Sequence, residues 1–301
     1  MTDYAFLNAS LNDTEGGYLV PVGYSNKIIN NIQQMDQSLS LLKPWPMTTL
    51  VENVPLMSTA ASASYTSAEG EAKGATQPAF TQLTLTAQEL AAVVVVTERL
   101  LMSTNIAGLM GVIQDDLAKA FARAKVQTLF GYANDGTFTN DLTDDAVSSV
   151  AYGANGDLMA DMSELLSALE TLGYFENLAW VTHPAVRRKF RDLRDDNGAL
   201  ILQPGTANAP EMLYGYPIKY STYFSKVGSP AAYEMFLCDW SKIVEGQMQE
   251  LRMAKSREAT ITLSDDSTVN LFQKNMVAIK AWLYHSFGAA DLNAVGKLTG
   301  L

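Results

Sequence analysis

Residues 105–130, NIAGLMGVIQDDLAKAFARAKVQTLF, decide how the rest of this chain is organised. Their apolar side chains recur three and four positions apart, which is the spacing of one face of an α-helix. This stripe consists of Ile106, Leu109, Met110, Ile113, Leu117, Ala120, Phe121 and Ala124. We place most of the charged residues on the other face: Asp115, Asp116, Lys119, Arg123 and Lys125. A polar residue at 103–105 can cap the start of the helix, and Gly131 can end it.

Such a helix is long for a globular chain. At ~1.5 Å per residue it extends about 39 Å, whereas helices in globular proteins average about 11 residues. It is either an ordinary core helix or the long axis of an elongated, plate-like molecule. The helix alone leaves both interpretations open.

The composition describes a folded protein with a net negative charge. The 301 residues are 48% hydrophobic and 18% charged, which allows one large domain or two moderate ones. With 21 Lys and Arg against 32 Asp and Glu, the formal charge is −11. This negative charge argues against a protein that binds phosphate over its whole surface, although a local basic patch stays possible.

Three further features favour synthesis and folding in a cytoplasm. The single cysteine, Cys238, excludes an internal disulfide framework and fits a reducing compartment. The longest strongly apolar run, residues 90–96, is too short to span a bilayer. Residues 1–4 lack the basic start of a signal peptide, and no apolar core follows them.

A polar segment of small residues separates two strand-like stretches. Within residues 59–79, Tyr65 is the only large apolar or aromatic side chain, so this segment cannot form a core of its own. The flanking stretches Leu50–Met57 and Phe80–Thr86 predict the two arms of a long hairpin. Long segments of this kind are either disordered or functional, and the functional alternative is a protruding arm that becomes ordered on a neighbouring molecule. Residues 1–30, interrupted by Gly and Pro, are either a second extended arm or a frayed terminus.

The remaining patterns predict a mixed α+β protein. Leu90–Thr97 is typical of a strand, and we expect burial on both of its faces because Val93–Val96 shows no alternation. From Asp157 onwards helical and strand patterns alternate, which predicts a compact α/β unit between the long helix and the end of the chain. Met276–Phe287 alternates apolar and polar residues over an unusual length and predicts a half-buried strand.

No arrangement of residues predicts a catalytic, cofactor or metal site. His183 and His285 are the only histidines and lie in different predicted units, and one cysteine cannot form a paired-cysteine zinc site. The chain also lacks a phosphate-binding glycine loop and a calcium loop with alternate-residue ligands. We therefore predict a protein that is not an enzyme. The alternative is an α/β enzyme that uses Asp239, His183 or the basic cluster described next.

One dense group of cations is a candidate contact surface. This basic cluster consists of Arg187, Arg188, Lys189, Arg191 and Arg194. Its side chains could pair with Asp192, Asp195 and Asp196, face an acidic neighbouring subunit, or contact nucleic acid. We rank these three in that order, because no aromatic residue interleaves the cluster in a base-stacking pattern.

Four segments carry a resemblance that periodicity does not supply. Residues 16–21 are GGYLVP, residues 183–200 contain a Pro-headed helix that ends in an acidic Gly turn, residues 213–218 are LYGYPI, and residues 272–298 form a long closing strand and tail. In this order and spacing, over nearly the whole chain, they resemble the major capsid proteins of tailed bacteriophages, the family with the Hong Kong 97-type fold.

The resemblance implies a capsid fold with a long spine helix, peripheral and axial domains, an extended β-hairpin loop and an N-terminal arm. In that family the loop lies across an adjacent subunit, and the axial domains meet around capsomer centres. The bounds it implies here are 1–30 for the arm, 54–81 for the extended loop, 151–249 for the axial domain, and 31–53, 82–150 and 250–301 for the peripheral domain with its spine helix 105–130.

The resemblance also implies the function of a shell subunit without enzymatic activity or cofactor. Its partners would be copies of itself, arranged as pentamers and hexamers, around double-stranded DNA that is bound without sequence specificity; no membrane is implied. Some relatives fuse an assembly domain to the N-terminus, whereas about fifteen residues precede Gly16 here, so scaffolding would come from a separate protein or be absent. A portal is a further partner that the resemblance implies. The expected location is the virion capsid, after synthesis in the bacterial host cytoplasm.

Assembly contacts are expected from the extended loop and from the basic cluster. The loop residues concerned are Tyr65, Glu69, Glu71 and Lys73. The alternative function within the same fold is that of an encapsulin-type compartment or a gene-transfer-agent shell. Cargo genes rather than terminase and portal genes beside this one would favour the encapsulin.

Some relatives crosslink a loop lysine to an asparagine with the help of a buried glutamate. Lys73 and Asn275 resemble that pair. However, Trp282 stands seven positions after Asn275, where the glutamate would lie. We therefore predict no autocatalytic crosslinking, and no ladder of covalent multimers on denaturing gels of purified particles.

Overall fold

A computed structural model describes residues 18–19, 36–59, 63, 65, 76–103, 106–132, 142, 148–194, 197–203, 205, 210–262 and 266–301. The described α-helices are α1 (Glu98–Ser103), α2 (Ile106–Leu129), α3 (Leu158–Thr171), α4 (Arg187–Asp192) and α5 (Leu271–Lys274). The described strands are β1 (Tyr18–Leu19), β2 (Lys43–Pro46), β3 (Val51–Thr59), β4 (Ala79–Thr86), β5 (Gln88–Thr97), β6 (Ser148–Ala151), β7 (Leu178–Thr182), β8 (Leu202–Gln203), β9 (Met212–Leu213), β10 (Tyr216–Tyr220), β11 (Met235–Asp239), β12 (Ile243–Ser256), β13 (Thr260–Thr262), β14 (Thr268–Asn270), β15 (Met276–Ala289) and β16 (Val295–Thr299). The mixed α+β class is confirmed. None of the described helices is long and apolar enough to cross a membrane.

The first sheet has five strands and is built around β15. Strands β12 and β5 flank β15, both antiparallel to it, and β1 and β2 pair with β12. Because side chains alternate along a strand, Ile279 and Ala281 are buried while Lys280 between them is exposed. Lys280 Nζ lies 3.3 Å from Glu89 Oε1 on the neighbouring β5. The long strand expected at this place is confirmed, but it is half-buried only around Lys280–Tyr284, because Ala278 and Ser286 on the face expected to be exposed are buried.

The long helix is confirmed as α2, and it packs on this sheet. Ile113, Leu117 and Phe121 are buried as expected and share a core with β15. The buried face is wider than the expected stripe, because Ala118 and Ala122 are also fully buried. Ala120 is exposed and Ala124 is only partly buried, which corrects their assignment.

Strand β5 corrects one expectation. Its even-numbered residues, including Val94 and Val96, pack against the core, but Val93 on the other face is 49% exposed. Val95 on that same face is partly buried against a small second core. Burial on both faces, expected from the uninterrupted valines, is therefore wrong at Val93 and holds in part at Val95. The valines reflect the preference of β-branched side chains for strands, and that preference holds on a half-buried strand as well.

The second sheet has seven strands in the order β6-β16-β11-β7-β10-β9-β8. Strands β6, β16, β7 and β10 run in the same direction, and β11 runs opposite to them. Helix α3 covers one face. The Asp157 carboxylate caps its start by accepting from the Ala160 N–H at 2.7 Å, and Gly173 ends it with a φ of +91° that favours glycine.

The two sheets are joined by a continuous hydrophobic core. The end of α2 contributes Phe130, whose ring centroid lies 4.9 Å from that of Phe236 in β11 and 4.5 Å from that of Phe224. The opposite face of β11 and β7 forms a separate core with α3, in which Trp180 and Met235 are fully buried. The seven-stranded sheet is thus covered on both faces.

Strand pairing departs from the implied domain bounds at two places. Strand β12 begins at Ile243, within the implied axial domain, yet it pairs in the five-stranded sheet. Strand β16 lies within the implied peripheral domain, yet it pairs in the seven-stranded sheet. Both differences arise because the bounds are continuous ranges of sequence, whereas a strand can pair with a strand far away in sequence. The division into arm, loop, peripheral and axial domains itself stays a prediction.

Candidate functional site

The hairpin predicted from the sequence is present, and its base is anchored in the body of the protein. Strands β3 and β4 pair antiparallel from Val51 opposite Thr86 outwards. Near the base, Val54, Leu83 and Leu85 are buried in a small core. That core also contains residues of β12 and of the segment after β2, so the hairpin leaves the body in a fixed direction.

The outer half of the hairpin exposes apolar side chains. Met57 and Phe80 lie opposite each other in the ladder and are 62% and 68% exposed. Tyr65, further out, is fully exposed. Single exposed apolar residues are ordinary, but a cross-strand pair with an aromatic beyond it is a surface suited to another molecule. Glu69, Glu71 and Lys73 lie outside the described residues, and their role in assembly stays a prediction.

The first residue of the basic cluster is engaged within its own chain. Arg187 Nη2 lies 3.0 Å from Glu211 Oε1, and Arg187 Nε donates to the same oxygen at 3.2 Å. The guanidinium also lies 5.5 Å from the centroid of the Tyr220 ring. The hydrogen bonds to Glu211 raise the pKa of Arg187 above its usual value. Arg187 therefore fixes α4 against β10, and its charge is locally balanced.

The other four cations of the cluster are exposed. Lys189 Nζ lies 4.2 Å from the centroid of the Tyr152 ring, and Arg194 Nη1 donates to the Gly198 carbonyl at 3.2 Å. Arg188 and Arg191 form no ion pair with Asp192 or with any other residue that the structure describes. Asp195 and Asp196 lie outside the described residues. The first-ranked interpretation was that the basic cluster pairs with acids of its own segment. For Asp195 and Asp196 this pairing stays a prediction.

His183 and Asp239, the residues of the enzyme alternative, lie at opposite ends of neighbouring strands. His183 follows β7, whereas Asp239 ends the antiparallel β11 beside the start of β7. Five strand residues place them roughly 16 Å apart. His183 Nδ1 accepts from the Ala185 N–H at 3.0 Å, and its ring stacks on Tyr233 with centroids 4.0 Å apart. His183 is therefore a helix-capping residue, and the structure does not bring the two together.

The described residues do not form a metal centre or a reactive thiol. No group of three or more His, Cys, Asp or Glu side chains among them could hold a metal ion. Cys238 is buried in β11, and burial raises the pKa of its thiol. A buried protonated thiol is a poor nucleophile.

Asn275, the crosslink-like residue, lies at the end of α5. It adopts a left-handed conformation with a φ of +50° and is exposed. Trp282, seven positions later, is partly buried in β15, and Lys280 Nζ lies 5.0 Å from the centroid of its ring. Lys73 lies outside the described residues. The absence of crosslinking stays a prediction.

Sequence reasoning missed a buried ion pair between the long helix and the first sheet. Lys125 in α2 lies 2.5 Å, Nζ to Oε1, from Glu245 in β12, and both are largely buried. The second oxygen of Glu245 accepts from Gln247 Nε2 at 3.3 Å. His285 in β15 is also buried; burial and the charge of Lys125 lower its pKa well below the usual value.

The placement of Lys125 on the polar face of α2 is therefore wrong. Buried Gln114, Ala118 and Phe121 precede it at steps of four, three and four residues. This spacing alone places Lys125 on the buried face. We placed Lys125 on the polar face because of its charge, since a lysine is rarely buried unless it is paired. The spacing was the better guide.

The chain matches the model of the phage capsid family over residues 16–300. The comparison with curated proteins finds no match.

Solved structures show the same fold at low sequence identity. A chain from Microbacterium phage Oxtober96 superposes with a TM-score of 0.69 at 20% identity, over 88% of this chain and 90% of that one. A chain from Mycobacterium phage Cain gives 0.68 at 19% identity, also over 88% and 90%. A capsid chain of a native GTA particle gives 0.60 at 19% identity, over 86% and 88%.

Proposed function

The chain belongs to the phage capsid family, and from this premise we propose that it is the major capsid protein of a tailed bacteriophage. Many copies close into the icosahedral head shell around the genome. The match of the family model to residues 16–300 carries the proposal. The Hong Kong 97-type fold expected from the sequence is confirmed by the structural similarity to phage chains.

We propose that the hairpin β3–β4 is the extended loop that rests on an adjacent copy. Its base is buried and its outer half exposes Met57, Phe80 and Tyr65. A neighbouring copy would cover these side chains. Residues 1–30 would act as a second arm, and residues 151–249 as the axial domain of pentamers and hexamers. Closed shells contain many such contacts, so contacts that are weak in one pair of copies become strong collectively.

The net charge of −11 supports a container for DNA rather than a DNA-binding protein. A shell that held phosphate tightly would hinder both filling and release. The DNA would therefore be held by closure, without sequence-specific contacts. A separate scaffolding protein and a portal would complete assembly in the host cytoplasm, and the protein would have no enzymatic activity.

Sedimentation velocity and electron microscopy of the purified chain test this function. We expect closed shells, formed by the chain alone or after a candidate scaffolding protein is added. Uniform monomers under both conditions at high protein concentration would contradict the proposal. As a control, residues 58–79 are replaced by an Asn-Gly turn, which joins Met57 to its ladder partner Phe80 and keeps the register of the two strands. This variant should fold and remain unassembled.

A gene-transfer-agent shell is the second candidate, and the similarity to the GTA capsid chain supports it. The two candidates share the fold and the contacts between copies, and they differ in the DNA that they enclose. Sequencing DNA from purified native particles separates them. A single phage genome supports the phage capsid, and random host fragments support the transfer agent.

A further inference from the structure

The seven-stranded sheet carries cations at one of its ends. Strands β6, β7, β10 and β16 run in one direction, so their carboxyl ends meet. Helix α4 follows β7 there, and the contact between Lys189 and Tyr152, which follows β6, places α4 across this end. The exposed cations of this basic end are Arg188, Lys189, Arg191, Arg194 and Lys226. The exposed anions at this end are Asp192 of α4 and, at the start of α3, Asp157 and Glu164, so five cations face three anions among the residues that the structure describes.

The opposite end of the same sheet is acidic and apolar. Helix α3 runs back along the sheet and ends there, where Leu172 and Phe175 are 50% and 58% exposed. The Tyr174 hydroxyl donates to the Asp291 carboxylate. This bond brings the exposed Leu292 to the same place. The exposed anions are Glu170, which is hydrogen-bonded to the Tyr216 side chain, and Glu176. Lys242 is an exposed cation nearby.

We propose that the basic end of one copy docks against the acidic and apolar end of the next copy within a capsomer. This inference rests on the proposed function, and it specifies which surfaces meet. Because two different surfaces are joined, each copy can bind one neighbour at either end. Repetition of such a head-to-tail contact closes a ring when the rotation per copy allows it.

The chemistry of the two ends supports this pairing. The exposed guanidinium groups of Arg188 and Arg191 are suited to bidentate contacts with carboxylates such as those of Glu170 and Glu176. Phe175 supplies an apolar centre, and aromatic anchors of this kind dominate the energy of many interfaces. Complementary charge also disfavours docking of two identical ends, since like charges would then face each other.

Charge reversal at each end, alone and combined, tests the proposal. Two variants, Arg188→Glu/Arg191→Glu and Glu170→Arg/Glu176→Arg, should each lower the yield of shells from purified, nuclease-treated protein. We expect a loss of about tenfold or more, which corresponds to ~1.4 kcal/mol per contact. The chain with all four substitutions should assemble again, because opposite charges would face each other once more. Recovery also rules out misfolding as the cause of the losses.

The outcomes separate this inference from the proposed function. If the native chain forms no shells, both fail together. If the native chain and both reversed variants assemble equally well, only the inference fails. The inference is equally overturned if Arg188→Glu/Arg191→Glu forms normal empty shells but holds less DNA, which would assign the basic end to nucleic acid. If Phe175→Ser assembled normally, the assignment of the acidic and apolar end to the interface would be wrong.

Discussion

At the scale of single residues, Lys125, Glu245 and His285 are buried polar groups between α2 and the first sheet, and substitutions there should change stability. Lys125 and Glu245 are both largely buried and lie 2.5 Å apart. A buried ion pair is not strongly stabilising compared with apolar residues, but removing one partner leaves an uncompensated buried charge. Each partner of this pair is therefore needed to balance the charge of the other.

Lys125→Met should lower the free energy of unfolding by about 3–5 kcal/mol, because Glu245 loses its counter-charge. Urea unfolding of the unassembled protein measures this. Lys119→Met, at an exposed position of the same helix, is the matched control and should change stability by less than about 0.5 kcal/mol. The double variant Lys125→Met/Glu245→Gln should recover part of the loss. Equal effects of the two lysine substitutions would contradict this account.

His285 should make the folded protein sensitive to mild acid. Its pKa is lowered well below the usual value, by burial first and by Lys125 second. Below about pH 6.5 the unfolded chain therefore binds a proton that the folded chain does not, and stability falls as the pH falls. Between pH 7.5 and 5.5 this one site costs about 1.4 kcal/mol.

The variant His285→Gln tests this assignment because it cannot titrate. The unassembled native chain should lose about 1.4 kcal/mol more than the variant over the same pH interval. Unfolding free energies at the two pH values give the comparison. Parallel losses in both proteins would assign the acid sensitivity to other groups.

At the scale of elements, patterns within short segments predicted helices and strands correctly. They failed to predict burial where it depends on residues far away in sequence. The spacing in 105–130 predicted α2, and the polar break within 59–79 predicted the hairpin. The sequence did not predict that Val93 is exposed, because that depends on what covers the sheet. Nor did it pair Lys125 with Glu245, 120 positions away.

The packing of α3 on β16 depends on the absence of a side chain at Gly296. A Cβ there would lie 2.9 Å from Leu165 Cδ1 and 3.0 Å from Leu169 Cδ1. Gly296→Val should therefore destabilise the protein by about 1–3 kcal/mol, as expected for overpacking. Thermal unfolding of the unassembled chain measures the change. Truncating the opposing side chain, as in Gly296→Val/Leu165→Ala, should not add a full second penalty.

Gly111 in α2, unlike Gly296, has space for a side chain. Outside the neighbouring helix backbone, a Cβ at Gly111 would meet no atom of the described side chains within 4 Å. Gly111→Ala should stabilise the unassembled protein by about 0.5–1 kcal/mol, because alanine loses less backbone entropy in a helix. A decrease in stability would mean that the helix is packed more closely at this position than the structure indicates.

At the scale of the whole molecule, two sheets with a shared core form the body of the protein, and the hairpin β3–β4 extends from it. The base of the hairpin is anchored and its outer half is exposed, which suits the contact with another copy that we propose. The sequence supplied the hairpin and the basic cluster. It could not identify the two ends of the seven-stranded sheet, because strand order brings residues 152, 175, 189 and 292 to those ends.

Cryo-electron microscopy of particles formed by this chain tests the central claim most directly. The account predicts closed shells in which the density for residues 54–81 extends from one subunit onto the surface of its neighbour. A single population of unassembled subunits, with that segment folded against its own chain, would contradict it.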